Sequence, residues 1–103
     1  MSLDQLRYFV AVAEEESVTR AARRLGVSQP PLSRQLKSLE DELGTALFAR
    51  TPKGVRLLPP GAVLLERVRG ILAQVDELSS LARGSDGPGP VDSAETTGTP
   101  AAR

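Results

Sequence analysis

Cysteine and histidine are both missing from this 103-residue chain. Their absence removes disulfides, thiolate nucleophiles, most zinc sites and the commonest general base. No Gly-rich phosphate loop is present, and Glu40, Asp41 and Glu42 stand at consecutive positions that point to different sides of a helix. An enzyme, a metal site and a cofactor are therefore not expected. Apolar runs are short as well: none approaches the roughly 18 residues of a membrane span, and the N-terminus lacks the basic-then-apolar layout of a secretory signal. A reducing, cytoplasmic setting without membrane attachment fits. Aromatics number only three, and two of them, Tyr8 and Phe9, read as core packing rather than base stacking.

Net charge is absent too, with 13 basic and 13 acidic residues. The charges are nevertheless segregated. Between Ser17 and Leu58 lie eight cations (Arg20, Arg23, Arg24, Arg34, Lys37, Arg50, Lys53, Arg56) and three anions (Glu40, Asp41, Glu42), a local excess of five. The balancing acids sit in Glu14–Glu16, read as a solvated helix end, and in Asp86, Asp92 and Glu95. For contact with phosphates, local sign matters more than the sum. A solvated charged face is the competing explanation.

What is present is helical periodicity. Residues 3–16 place Leu6, Phe9, Val10 and Ala13 on one stripe, widened by Leu3 and Val12, with Asp4 favouring the start. Residues Val18–Leu25 follow Ser17 as N-cap and bring Val18, Ala21, Ala22 and Leu25 to one side. Gly26 suits the left-handed residue that ends that helix, and Ser28 suits the cap of the next. The next helix buries Leu32, Leu36, Leu39 and Leu43 and ends at Gly44. Its other side carries Gln29, Pro30, Ser33, Arg34 and Lys37, with no large apolar group to hide. Gln and Arg pair bidentately with adenine and guanine, and Ser with either. Two helices joined by a glycine turn, the second exposing such a face, form the arrangement that enters the major groove. An ordinary helical corner with a solvated face shares the periodicity.

Downstream, Thr51–Gly54 suits a tight turn between two short alternating runs, a hairpin or wing. Phe48, Val55 and Leu57 would face the core, and Arg50, Lys53 and Arg56 would face out toward a phosphate or minor groove. After Leu58–Gly61 a long helix runs to Arg83, with Leu64, Val68, Ile71, Val75 and Leu78 recurring as a heptad seam. Leu65 and Leu72 make a second line that can pack on the first helix, leaving the seam for a dimer contact. Gly70 costs up to about 1 kcal/mol mid-helix and allows close approach. Residues 84–103, with four Gly and three Pro, read as disordered. The domain boundaries expected are thus 1–58, 59–83 and 84–103.

Two stretches, AARRLGVSQPPLSRQLKSLEDELG and LFARTPKGVRLLPPG, carry a resemblance that runs without gaps from about Leu3 to Arg83. The chain resembles the N-terminal DNA-binding domain of LysR-type bacterial transcriptional regulators. The resemblance implies a mostly α fold: a winged helix-turn-helix of three helices and a small β-hairpin, then a long linker helix that pairs antiparallel in a dimer. It implies that Gln29, Pro30, Ser33 and Arg34 enter the major groove, with Arg50 and Lys53 on the wing. Ser17, Thr19 and Arg23 would touch phosphate, joined by Ser28 and Lys37. It also implies an interrupted palindrome as target, read by a two-fold dimer in a bacterial, nucleoid-associated setting. Leu58 departs from the family, which usually places a capping Thr there, so the linker helix would fray or be capped otherwise. The family's effector-binding domain has no counterpart before the chain ends, so no small-molecule effector is expected on these residues. The expectation is a dimeric, sequence-specific DNA-binding regulator. The alternative is an interaction subunit that heterodimerises, or joins a higher oligomer, with a full-length relative through the linker helix.

Overall fold

The computed structural model describes residues 1–84; the tail expected to be disordered lies, apart from Gly84, outside the described residues. The element order is α1 (Leu3–Glu15), α2 (Val18–Leu25), α3 (Gln29–Leu43), β1 (Phe48–Thr51), β2 (Gly54–Leu57) and α4 (Pro59–Ala82). Residues 1–72 form one compact unit, which takes in the first half of α4. Among the described residues, no helix is long and apolar enough to cross a membrane.

Capping residues set the helix limits. Ser2 accepts the Gln5 N–H at 3.1 Å to open α1, and Ser17 accepts the Arg20 N–H at 3.0 Å to open α2. Gly26 and Gly44 close α2 and α3 with φ of 71° and 72°. At the end of α1 the same left-handed conformation is taken by Glu16, at φ 55°. The first three helices pack around Leu6, Phe9, Val12, Ala21, Leu32 and Leu39, all buried. Leu3 and Leu43, expected on the apolar stripes, stay exposed. Each lies on the terminal turn of its helix, where the stripe runs past the edge of the core.

Helix α4 opens without a capping hydroxyl. Its first two residues are Pro59 and Pro60, which have no N–H to satisfy. The Leu58 N–H is held by the Leu47 carbonyl at 2.9 Å, and the Leu58 carbonyl accepts the Ala62 N–H at 2.9 Å. A threonine at position 58 would have had the Gly61 N–H, third in the helix, to cap. Gly61, buried in the first turn, lets α4 lie against the wing base: a Cβ there would come within 2.5 Å of the Leu47 carbonyl and 2.7 Å of Leu57.

The wing is a two-stranded antiparallel ribbon with Phe48 opposite Leu57, Ala49 opposite Arg56, Arg50 opposite Val55 and Thr51 opposite Gly54. This register corrects the expectation that Arg50 and Arg56 share an outward face. Directly paired residues lie on one side of a sheet, so Arg50 is on the Val55 side and Arg56 on the Ala49 side, though both remain exposed. Phe48 packs on Phe9 with ring centroids 5.5 Å apart. The Glu40 carboxylate accepts the N–H groups of Leu47 and Phe48 at 2.6 and 3.2 Å, fixing the entry to β1. At the far end, the Val55 N–H donates to the Glu16 carbonyl at 3.2 Å. Gly54, at φ 143°, passes so close to that carbonyl that a Cβ would overlap it.

The acidic run is not a solvated helix end. Glu14 pairs with Arg24 at 2.8 Å and with Arg69 at 2.9 Å, and Glu15 pairs with Arg24 at 3.2 Å and Arg20 at 3.7 Å. Arg20 also donates to the Glu15 carbonyl. The end of α1 is thereby tied to α2 and α4. Hydrogen bonds from Arg69 and then Arg24 hold the Glu14 carboxyl below its ordinary range, against the opposing effect of burial.

Two consequences can be measured. Gly54→Ala should lower stability by more than about 1 kcal/mol, because it combines a positive φ with a backbone clash; Glu16→Gly should be tolerated, and urea melts of both variants check this. Because the folded-state pKa of Glu14 is depressed, its contribution is present above the ordinary glutamate value and is lost as pH falls through the lower folded value. The stability gap between wild type and Glu14→Gln should accordingly be open at neutral pH and close in acid, as read by melts across that range.

Candidate nucleic-acid interface

Helix α3 divides its sides as its sequence requires. Leu32, Leu36 and Leu39 enter the core, while Gln29, Pro30, Arg34 and Lys37 are exposed and Ser33 is half-buried. Ser28 occupies the N-cap position but makes no capping hydrogen bond. The reason is chemical: a cap accepts from the second or third residue of the helix, and here those are Pro30 and Pro31. Ser28 does not cap as expected, and its exposed hydroxyl is left free for a ligand.

Around this front end the cations fall into two sets. Arg20 and Arg24 are held by Glu14 and Glu15, and Lys37 pairs with Asp41 at 2.9 Å. That pair raises the Lys37 pKa, chiefly through the hydrogen bond from its ammonium to Asp41; fully exposed, it is easily exchanged for a phosphate. Arg23 on α2, Arg34 on α3, and Arg50, Lys53 and Arg56 on the wing are exposed and have no carboxylate partner among the described residues. These five cations, on three elements around one helix, are what remains of the local positive excess once the fold has taken its share.

Hydroxyl and amide groups complete the site. Ser17 uses its oxygen as the α2 cap, which leaves its proton for another acceptor. The Thr19 hydroxyl donates to the Gln29 side-chain oxygen at 3.1 Å, a link between α2 and α3 that sequence reading missed. Its signal was a Thr and a Gln facing each other across a glycine turn. Lys53 is set by the turn: its N–H donates to the Thr51 hydroxyl at 3.2 Å, and that hydroxyl donates to the Gly54 carbonyl at 3.1 Å. Among the described residues no group of three or more acidic side chains could hold a metal.

The heptad seam is revised. Val68 is 1% exposed and belongs to the chain's own core, with Leu64, Leu65 and Leu72 packed against it. The helix turns by about 100° per residue, so Leu64 and Val68 fall with the second line on the buried side. Val75 is half-buried. The exposed apolar residues are Val63, Ile71, Leu78 and Leu81. With Gly70 these occupy an arc of about 100°.

A family profile described as bacterial regulatory helix-turn-helix protein, lysR family, matches residues 3–62. The regulator BudR of Klebsiella aerogenes is 54% identical over 84 residues, 82% of this chain and 59% of BudR. TfdS of Cupriavidus pinatubonensis is 50% identical over 91 residues, 84% of this chain and 31% of TfdS. The chain thus spans about three-fifths of one relative and under a third of the other. Among solved structures, the BenM DNA-binding domain in complex with benA site 1 DNA superposes with a TM-score of 0.76 at 44% identity, covering 81% of this chain and 96% of that one. The CbnR DNA-binding domain in its DNA complex gives 0.77 at 40% identity, covering 84% and 100%. Five-sixths of the chain thus matches regulators throughout, and the chain belongs to the LysR family of bacterial helix-turn-helix transcription regulators, with its winged helix-turn-helix as the DNA-binding domain.

Proposed function

We propose that the chain binds an interrupted palindromic operator as a homodimer, with the front end of α3 in the major groove of each half-site. The observation that carries this is the exposed face of Gln29, Pro30, Ser33 and Arg34, ringed by cations that no carboxylate of the fold engages. Arg34 can make two hydrogen bonds to a guanine edge and Gln29 can reach a base edge with its amide, while Pro30 and Ser33 set how closely the helix approaches. Ser17, Ser28, Arg23 and Lys37 hold the phosphates beside α2 and α3, and Arg50 and Lys53 hold the backbone beside the wing. The apolar arc of Val63, Gly70, Ile71, Leu78 and Leu81 meets a second copy, and glycine at position 70 lets the helices approach closely.

Selection from a random duplex library at two salt concentrations tests this reading. An enriched palindrome with a fixed gap is the expected outcome; binding without enrichment that collapses as salt rises would leave only the phosphate contribution and refute the base-reading face. Arg34→Ala should cost about 1–3 kcal/mol at one base position of each half-site, measured by competition with operator variants. A double variant, Ile71→Glu with Leu78→Glu, should sediment as a monomer while its N-terminal unit stays folded, since Ile71 and Leu78 are 44% and 65% exposed.

A further inference from the structure

We infer that Thr19 is a positioning residue that sets which base Gln29 accepts, rather than a phosphate contact. The inference rests on the base-reading role proposed for Gln29. The Thr19 hydroxyl lies 3.1 Å from the Gln29 side-chain oxygen. That oxygen can only accept, so the hydroxyl proton is the one between them. Thr19 stands on the first turn of α2, which is fixed by the Ser17 cap on Arg20 N–H, and Gln29 is the first residue of α3. An unanchored glutamine amide presents oxygen or nitrogen with equal ease. Here the oxygen is held toward α2, so the amide nitrogen with its two donors is the end presented outward. Such an end suits base edges that accept: purine N7, guanine O6 or thymine O4. It opposes a cytosine N4 amine, which would leave two donors face to face. To accept from that amine the amide would have to turn over, and the Thr19 hydroxyl would then accept from its nitrogen and give its own proton to another acceptor.

The test compares the wild type, Thr19→Val, Thr19→Ser and Gln29→Ala by library selection and competition binding. Gln29→Ala should abolish preference at one base pair per half-site. Thr19→Val, of nearly the same shape, should weaken discrimination at that same base pair by about three- to tenfold, the range one hydrogen bond is worth. Preference at the other base pairs and the salt slope should be unchanged, and Thr19→Ser should restore the wild-type pattern. A uniform loss across all sequences in Thr19→Val would mean a phosphate contact and overturn the inference. Loss in Gln29→Ala with an unaltered Thr19→Val would overturn it equally, while sparing the reading of Gln29. If Gln29→Ala changes no position, the base-reading role of Gln29 fails and the inference goes with it. Thermal melts of Thr19→Val within the wild-type range exclude unfolding as the cause of any change.

Discussion

The corner between α1 and α2 is the point on which the remainder of the domain depends. At Glu16 the chain enters the left-handed region, which costs a non-glycine residue roughly 1–2 kcal/mol. The turn brings its carbonyl under the wing, where it accepts the Val55 N–H at 3.2 Å. The two preceding side chains, Glu14 and Glu15, hold Arg20, Arg24 and Arg69. One short segment thus fixes the start of α2, the tip-proximal strand of the wing and the inner part of α4. Each ion pair is partly exposed, so none is individually strong. Their effect is geometric: α3 is carried by α2 and flanked by the wing, and both are referenced to the same three residues.

This corner also resolves why a chain of zero net charge can favour phosphate. Counting cations from the sequence overstates what is available, because Arg20 and Arg24 serve the fold. Counting the whole chain understates it, because Glu14 and Glu15 are spent on those arginines and on Arg69. What reaches solvent near α3 is the set of Arg23, Arg34, Arg50, Lys53 and Arg56, without a carboxylate partner among the described residues.

Much of this was legible in the sequence because it is periodic or a matter of punctuation. The stripes of α1, α2 and α3, the glycines at 26 and 44 and the hairpin turn are local signals, and the structure keeps them apart from Leu3 and Leu43 at the ends of their stripes. What could not be read depends on tertiary approach. Nothing local tells that Glu40 will hold the amides entering β1, or that Arg50 and Arg56 will fall on opposite sides of the ribbon. The seam on α4 misled for a related reason. A heptad of aliphatic residues marks a helix with a packed face, but not whose core packs there, and Val68 belongs to its own. Deciding between the two faces of α4 required knowing where Leu47 and Leu57 stand against Gly61.

The prolines at the front of α3 bear on how specificity would arise. A helix N-terminus ordinarily offers several unpaired N–H groups that grip a phosphate regardless of sequence. With Pro30 and Pro31 in the first turn, two of those donors do not exist, and the Ser28 hydroxyl is released from capping. The dipole and the Gln29 N–H remain, yet most of the hydrogen bonds available at this end come from the side chains of Ser28, Gln29, Ser33 and Arg34. Side-chain amides and guanidinium groups discriminate between base edges, whereas backbone amides on phosphate do not. Removing generic donors from the end of α3 therefore shifts binding energy in the proposed complex from the backbone toward the bases. The generic share is left to Arg23 and the wing cations, at the margin of the reading face.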